Sequence, residues 1–170
     1  MVPLWKTFRD TGDVTPDAIL EYFGVRLPPV PVEGIIEEIG VKVYSVPNPG
    51  WSGAVDSNGS HAVIWVDVKD SPERRRFTMA HELGHLLLHP PGRAYRDSLF
   101  DGSPIELEAN AFAADLLMPM WMLQLHFDRV IRGDAHVLAE VSERFNVSTA
   151  AMARRVREAI GLDVSTYPIF

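Results

Sequence analysis

One segment, residues 71–91, constrains the fold of this chain more than any other. It reads SPERRRFTMAHELGHLLLHPP. Ser71 followed by Pro72 and Glu73 is a signal for the start of a helix, and the pair Pro90-Pro91 prevents a helix from continuing. The pattern therefore predicts a single helix over about residues 72–89, with both ends specified locally.

Histidines recur along this predicted helix. His81 and His85 are four residues apart, which on a helix is about 40° of rotation and about 6 Å of rise, so both imidazoles can lean toward one point. Glu82 is turned away from that point but is close enough to reach a water on a shared metal ion. This is the H-E-x-x-H arrangement of zinc hydrolases, in which the glutamate is the general base. The alternative is a buried amphipathic helix that carries the pattern by chance.

Two further residues refine this interpretation. His89 extends the series, but it lies about 12 Å of helical rise from His81, so one ion cannot bind all three histidines of a straight helix. His89 is therefore predicted to have a structural role or to contact a ligand residue rather than the ion itself. It lies at a helix C-terminus, where the helix dipole favours a histidine. Gly84 costs about 1 kcal/mol relative to Ala in mid-helix. It predicts a neighbour packed close to the helix backbone.

A second helix follows, in the segment SPIELEANAFAADLLMP, residues 103–119. Ser103 is a good N-cap, Pro104 suits the first helical position, and Glu106 comes three residues after the cap, which is the pattern of a capping box. The helix is predicted to end near Met118 and Pro119.

This second helix is expected to supply the third metal ligand. A catalytic zinc site usually has three protein ligands, and the chain has no cysteine. Four residues form the expected apolar stripe: Ile105, Ala109, Phe112 and Leu116. Glu108 borders this stripe and is predicted as the ligand, whereas Glu106 is assigned to the capping box and remains the alternative. Asp115, on the same edge, could orient a ligand histidine or be a surface acid.

The remaining patterns predict an α+β fold with its strands in the N-terminal half. TPDAILEYF and VEGIIEEIG read as helices, and VKVYSV as a strand. WSGAVDSNGSHAVIWVDV reads as a hairpin that turns at Asn58-Gly59. MWMLQLHFDRVIRG is predicted to be helical, and residues 135–162 to form two helices with Ser148 as a cap. We expect a core over residues 1–130 and a C-terminal helical extension over 131–170, packed on that core.

Composition excludes some classes of function. The net charge of -7 and a pI of about 5.3 argue against nucleic-acid binding as the main role, because phosphate contacts need a positive surface. No apolar run approaches the roughly 20 residues that span a bilayer. The N-terminal residues lack the apolar core of a signal peptide. The expectation is a cytoplasmic protein with no membrane contact.

RRRFTMAHELGHLLLH followed by ELEANAFAADLLMP resembles the ImmA/IrrE family of cytoplasmic zinc-dependent metallopeptidases. SGAVDSNGSHAVIWVD and ERFNVSTAAMARRV fit the layout of that domain, and the resemblance covers roughly residues 14–162. It implies a minimal zincin-like domain with a small N-terminal sheet and hairpin, an HExxH helix, and a C-terminal helical bundle with a helix-turn-helix-like pair. It implies Zn²⁺ held by His81, His85 and Glu108, with Glu82 as base; Mn²⁺ or Fe²⁺ would suit the same ligands.

The resemblance also implies a function. The best-understood members of the family cleave a helix-turn-helix transcriptional repressor and so derepress a mobile element or a stress response. The chain is thus expected to be a metalloendopeptidase that acts on a separate repressor protein. Tyr95 or His61 could stabilise the oxyanion, and the strand HAVIWVDV could hold the substrate by β-augmentation or be a plain core strand.

Two other functions stay open at this point. One is a non-proteolytic regulatory module that retains zinc. Its C-terminal pair could present three arginines to phosphates, although three acids share the segment. The arginines are Arg154, Arg155 and Arg157, and the acids are Glu140, Glu143 and Glu158. The other is a toxin-like partner in a two-gene module.

Overall fold

The computed structural model describes residues 2–12, 14–47, 50–58, 60–90, 95–96, 102–131 and 135–161. Within these ranges the chain is α+β, as predicted. The helices are α1 (Leu4–Thr11), α2 (Pro16–Tyr22), α3 (Val32–Glu38), α4 (Pro72–Leu88), α5 (Pro104–Leu117), α6 (Met120–Leu123), α7 (Phe127–Ile131), α8 (Ala135–Phe145) and α9 (Thr149–Ala159). The strands are β1 (Val41–Val46), β2 (Gly53–Asn58), β3 (His61–Asp67) and β4 (Tyr95–Arg96).

The strands form one sheet in the order β1-β3-β2-β4. β2 and β3 pair antiparallel with Asn58 opposite His61, which confirms the predicted hairpin, although Gly59 of the turn lies outside the described residues. β1 joins the other edge of β3 in parallel, and β4 pairs antiparallel with β2. Burial alternates along β3, so one face of the sheet points toward the helices.

The predicted histidine helix is confirmed as α4. The Ser71 hydroxyl caps it by accepting a hydrogen bond from the Arg74 N–H at 3.2 Å. The helix ends at Leu88, and His89 has an extended backbone with ψ of 159°. Because the proline ring of Pro90 disfavours helical backbone at the preceding residue, the helix stops one residue before the predicted end.

The predicted α2, α3, α5, α8 and α9 also form. Ser103 caps α5 and Ser148 caps α9, each through a side-chain oxygen that accepts from the first turn. The segment 120–133 differs from the prediction of one helix, since a 3-10 turn over Gln124–His126 separates α6 from α7. Helix α1, which buries Trp5 and Phe8, was not predicted.

Helix α4 lies at the centre of the fold. It packs against β2 and β3 on one side and against α5 on another. The hydrophobic core is continuous from Trp5 of α1, through Leu83 of α4 and Leu116 of α5, to Phe145 of α8 and Met152 of α9. The division at residues 130 and 131 stays a prediction. No helix of the described part of the chain combines the length and apolarity needed to cross a bilayer.

Candidate metal centre

The imidazoles of His81 and His85 converge on one point, as their spacing predicts. Their Nε2 atoms are 2.9 Å apart. His81 is fully buried and His85 is 2% exposed. Both rings lie on the side of α4 that faces α5, so a third ligand from α5 can reach the same point.

That third group is Glu106. One carboxylate oxygen is 3.1 Å from His81 Nε2 and the other is 3.2 Å from His85 Nε2. Bonds of about 2.0–2.1 Å at tetrahedral angles place two ligand atoms about 3.3 Å apart, so these separations are close to the edges of a zinc site. The three residues are buried, and their donor atoms all lie within 4.8 Å of one another.

The hydrogen bonds behind the two imidazoles show that this donor set fits a cation. His81 Nδ1 is 2.9 Å from Asn110 Oδ1, and His85 Nδ1 is 2.9 Å from His89 Nδ1. Asn110 Oδ1 can only accept, so a neutral His81 carries its proton at Nδ1, and Nε2 presents a lone pair. If His85 likewise donates from Nδ1, two lone pairs and a carboxylate face one another. Such a set is repulsive unless a cation lies between them.

The charge of Glu106 suits the same role. Burial by itself raises the pKa of Glu106. The interactions of the carboxylate with the His81 and His85 rings outweigh burial and lower the pKa to about 2. The carboxylate is therefore ionised at neutral pH, which is the form that binds a metal ion.

The structure does not bring Glu108 to the two imidazoles, contrary to the sequence prediction. Six residues of α5 are buried: Glu106, Ala109, Phe112, Ala113, Leu116 and Leu117. At about 100° per residue, Glu106 lies about 45° from the centre of this arc and Glu108 about 115° away. The expected stripe counted Ile105, which is only half-buried, and omitted Ala113 and Leu117. The centre of the expected stripe is therefore rotated by about 45° from the centre of the buried arc.

The predicted capping box is half formed for the same reason. Ser103 Oγ accepts a hydrogen bond from the Glu106 N–H at 3.4 Å. The Glu106 carboxylate, however, faces the histidines of α4 rather than its own helix terminus. The sequence prediction assigned the capping role to Glu106 and the ligand role to Glu108. In the structure the backbone N–H of Glu106 takes part in the cap, while its side chain lies at the histidines.

Glu108 has a different partner. Its Oε2 is 3.1 Å from His89 Nε2, and its side chain is 63% exposed. Burial lowers the pKa of His89, although the hydrogen bond to Glu108 acts in the opposite direction, so the neutral ring is favoured. His89 thus lies between His85 and Glu108, and it is held away from the point where His81 and His85 meet.

Glu82 is buried at the sheet side of α4, with no exposed surface. A Cβ atom at Gly53 of β2 would lie 2.6 Å from Glu82 Oε1 and would overlap Thr78 Cγ2. Strand β2 therefore passes directly over the carboxylate, and only glycine leaves room for it. The sequence prediction did not include this contact, because it joins residues that are far apart along the chain.

The prediction for Gly84 is confirmed. A Cβ atom there would lie 3.1 Å from Phe112 Cδ1 and 3.3 Å from the Cα atom of Ala109. Both residues belong to α5, so α4 and α5 approach closely between the two ligand candidates of α4. The absence of a side chain at Gly84 permits this approach.

The other predicted site residues lie elsewhere or have other partners. Asp115 forms an ion pair with Arg155 of α9, and the residue of α5 that supports a histidine is Asn110. His61 is exposed at the start of β3, with Nδ1 3.1 Å from Ser60 Oγ. The backbone of Tyr95 pairs with that of β2, and the prediction for its side chain lies outside what the structure describes.

Two of the arginines considered for phosphate contacts are engaged within the protein. Arg155 pairs with Asp115 and also donates to the Met118 carbonyl, and Arg154 pairs with Glu158 at 2.9 Å. These partners reduce the positive charge available to a nucleic acid. The geometry of α8 and α9 therefore gives no support to DNA binding.

Asn110 is a residue that sequence reasoning missed. It follows Glu106 by four positions, so both side chains lie on one face of α5. Once Glu106 is placed at the histidines, this spacing indicates a role for Asn110. An amide four residues after a ligand on α5 can reach the Nδ1 side of the His81 ring. With the ligand placed at Glu108, the same spacing pointed to Phe112 instead.

The buried His-His-Glu group next to an H-E-x-x-H glutamate defines the class of site, one that can hold a single divalent metal ion. The chain belongs to the ImmA/IrrE family of metallopeptidases. The family model Peptidase M78, described as the IrrE N-terminal-like domain, matches residues 36–157. This range includes all four of these residues.

Named relatives agree with this assignment. The chain is 33% identical over 117 residues to the radiation response metalloprotease IrrE of Deinococcus radiodurans, covering 65% of this chain and 30% of the relative. It is 30% identical over 136 residues to the Deinococcus deserti protein of the same name, covering 76% and 47%. An uncharacterized immunity region protein 2 of Bacillus phage phi105 is 42% identical over 52 residues, covering 29% and 33%. The matched region thus spans less than half of each of these relatives, from 30% to 47%.

Proposed function

We propose that this chain is a zinc-dependent endopeptidase in which His81, His85 and Glu106 hold the ion and Glu82 is the general base. The observation that carries the proposal is the convergence of two imidazole Nε2 atoms and one carboxylate, all buried, with pairwise separations of 2.9 to 3.2 Å. Three protein ligands leave one position open to water and substrate, which is the pattern of a catalytic zinc site.

The chemistry follows from the roles of these side chains. When bound, the ion supplies Lewis acidity, which makes water more acidic and polarises a carbonyl group. A Glu82 carboxylate oxygen accepts the proton of the attacking water and passes it to the nitrogen of the leaving amine. Strand β2 packs against this carboxylate from one side, where the absence of a side chain at Gly53 leaves room for it. Asn110 Oδ1 orients His81 by accepting a hydrogen bond from the Nδ1–H group of the imidazole.

The proposed substrate is a separate transcriptional repressor of the helix-turn-helix class. The family resemblance supports this, and the phage relative named as an immunity region protein is compatible with it. The Deinococcus relatives are named as radiation response metalloproteases, which supports peptide-bond hydrolysis by the shared domain. The net charge of -7 is consistent with a protein substrate rather than with nucleic acid.

The ligand assignment is tested by zinc content. Glu106→Gln removes a carboxylate from the centre and is expected to lower the bound zinc of the purified protein well below one ion per chain. Glu108→Gln makes the same chemical change two residues away and is expected to retain most of the bound zinc. The measurement is metal analysis after dialysis against a weak chelator. The reverse result, loss in Glu108→Gln alone, would return the ligand role to Glu108.

The peptidase activity is tested with repressor proteins encoded next to the gene. Wild type, Glu82→Gln and Glu143→Gln are compared by mass spectrometry of the products. Glu143 is an exposed residue of α8 and undergoes the same chemical change as Glu82, so it is the matched control. Cleavage by wild type and Glu143→Gln, but not by zinc-loaded Glu82→Gln, is the expected result. Equal cleavage by all three would refute the proposal.

A further inference from the structure

The structure contains a chain of hydrogen bonds that leads from the metal centre to the surface. His85 Nδ1 is 2.9 Å from His89 Nδ1, and His89 Nε2 is 3.1 Å from Glu108 Oε2. The two histidines are buried, whereas the Glu108 side chain is 63% exposed. This series of hydrogen bonds therefore starts at Nδ1 of His85, on the side of the ring opposite to Nε2, and ends at the solvent-exposed carboxylate of Glu108.

The donor and the acceptor of each of these hydrogen bonds follow from one condition. If His85 uses the Nε2 lone pair for a metal ion, its proton is on Nδ1 and is donated to His89 Nδ1. His89 Nδ1 must then be an acceptor, so the proton of a neutral His89 is on Nε2. A carboxylate can only accept, so Glu108 accepts a hydrogen bond from the Nε2–H group of His89. Every atom pair then has one donor and one acceptor.

The opposite assignment fails at both ends. If His89 donated from Nδ1, His85 Nδ1 would be the acceptor, and its proton would occupy Nε2, where the ion must bind. His89 Nε2 would then present a lone pair to the Glu108 carboxylate, which is repulsive. Glu108 therefore selects, through His89, the form of His85 that can bind metal.

We propose that His89 and Glu108 are positioning residues that fix the tautomer and the ring orientation of His85. This inference rests on the proposed function, because it needs His85 to be a metal ligand. Helix α5 would then contribute three groups to the centre: Glu106 as a ligand, Asn110 behind His81, and Glu108, through His89, behind His85. Residues that support a ligand histidine in this way typically change metal affinity about 10–100-fold when they are mutated.

The experiment uses Glu108 rather than His89, because His89 is 7% exposed and its replacement would disturb packing. Zinc affinity is measured for the full chain by competition with a chromophoric chelator. Glu108→Ala is expected to weaken binding about tenfold, the low end of the range, since Glu108 is one residue removed from the ligand and is exposed. Glu108→Gln keeps a carbonyl acceptor and is expected to recover most of the affinity. Glu143→Ala, an exposed glutamate on α8, is the matched control and is expected to match wild type.

Long-range ¹H–¹⁵N NMR of the zinc-loaded, ¹⁵N-labelled protein reports the tautomers directly. The expected spectrum has the proton of His85 on Nδ1 and that of His89 on Nε2, with the His89 preference weakened in Glu108→Ala. A His89 proton on Nδ1 in wild type, or an unchanged affinity in Glu108→Ala, would overturn the positioning role alone. If wild type bound no zinc, the proposed function itself would fail, so the two failures are distinguishable.

Discussion

Gly84 offers a quantitative test of how α4 and α5 pack. Its matched control is Gly34, which is also inside a helix but exposed. A Cβ atom at Gly34 would meet nothing within 4 Å, whereas one at Gly84 would lie 3.1 Å from Phe112 Cδ1 and 3.3 Å from the Cα atom of Ala109. Gly34→Ala and Gly84→Ala therefore make the same chemical change with and without a close neighbour.

The expected free energies differ in sign. Alanine stabilises a helix interior by about 0.5–1 kcal/mol relative to glycine, so Gly34→Ala should raise the free energy of unfolding by about that amount. At Gly84 the new carbon would be closer than the ordinary separation of about 3.5–4.0 Å. One contact is with backbone, so α5 must shift, and overpacking of this kind costs about 1–3 kcal/mol. The net loss for Gly84→Ala is about 0–2.5 kcal/mol.

Urea unfolding measures both variants. The transitions are recorded with a chelator present, so that metal binding does not contribute to stability, and the free energies are obtained by linear extrapolation with equal slopes. The two variants should differ by about 1–3 kcal/mol, which is the overpacking term. If Gly84→Ala were stabilised as much as Gly34→Ala, the close packing of α4 on α5 would be refuted.

Three other perturbations give further expected outcomes. Gly53→Ala must displace Glu82 or Thr78, so the repressor cleavage rate should fall and the free energy of unfolding should drop by about 1–3 kcal/mol; a normal cleavage rate would contradict the contact with Glu82. Ser148→Ala removes the cap of α9 and should cost about 1 kcal/mol in urea unfolding, and no change would contradict the cap. Zinc at about 100 times its Kd should stabilise wild type by about 2.7 kcal/mol but not Glu106→Gln; equal stabilisation in a thermal melt would contradict the ligand set.

The elements of this fold that sequence predicted are those whose ends are marked locally. Ser71 and Pro90 bound α4, Ser103 and Pro119 bound α5, and each signal acts within one turn of the helix. The break between α6 and α7 has no such marker, and the residues around it favour a helix. Helix α1 lies in a short amphipathic stretch, and its stability comes from burying Trp5 in the core rather than from propensity.

The same distinction between local and long-range information applies to the residues of the candidate site. His81, Glu82 and His85 are related by spacing on one helix, so the sequence predicted that the two imidazoles meet. The choice between Glu106 and Glu108 depends on how α5 is rotated about its axis, which is set by the sheet and helices around it. A stripe that includes Ile105 and omits Ala113 and Leu117 rotates the centre of the predicted buried face by about 45°, toward Glu108 and away from Glu106. No local pattern corrects this error.

The close approach at Gly84 also bears on the metal centre. Gly84 lies between His81 and His85 in α4, and Ala109 lies three residues after Glu106 in α5, so this close approach of the helices is within one turn of all three proposed ligands. The distances from Glu106 to the imidazoles, 3.1 and 3.2 Å, therefore depend on how near the two backbones come. Any side chain at Gly84 that moves α5 outward also moves Glu106 away from both histidines. Gly84→Ala should consequently weaken zinc binding as well as folding, whereas Gly34→Ala should change only folding.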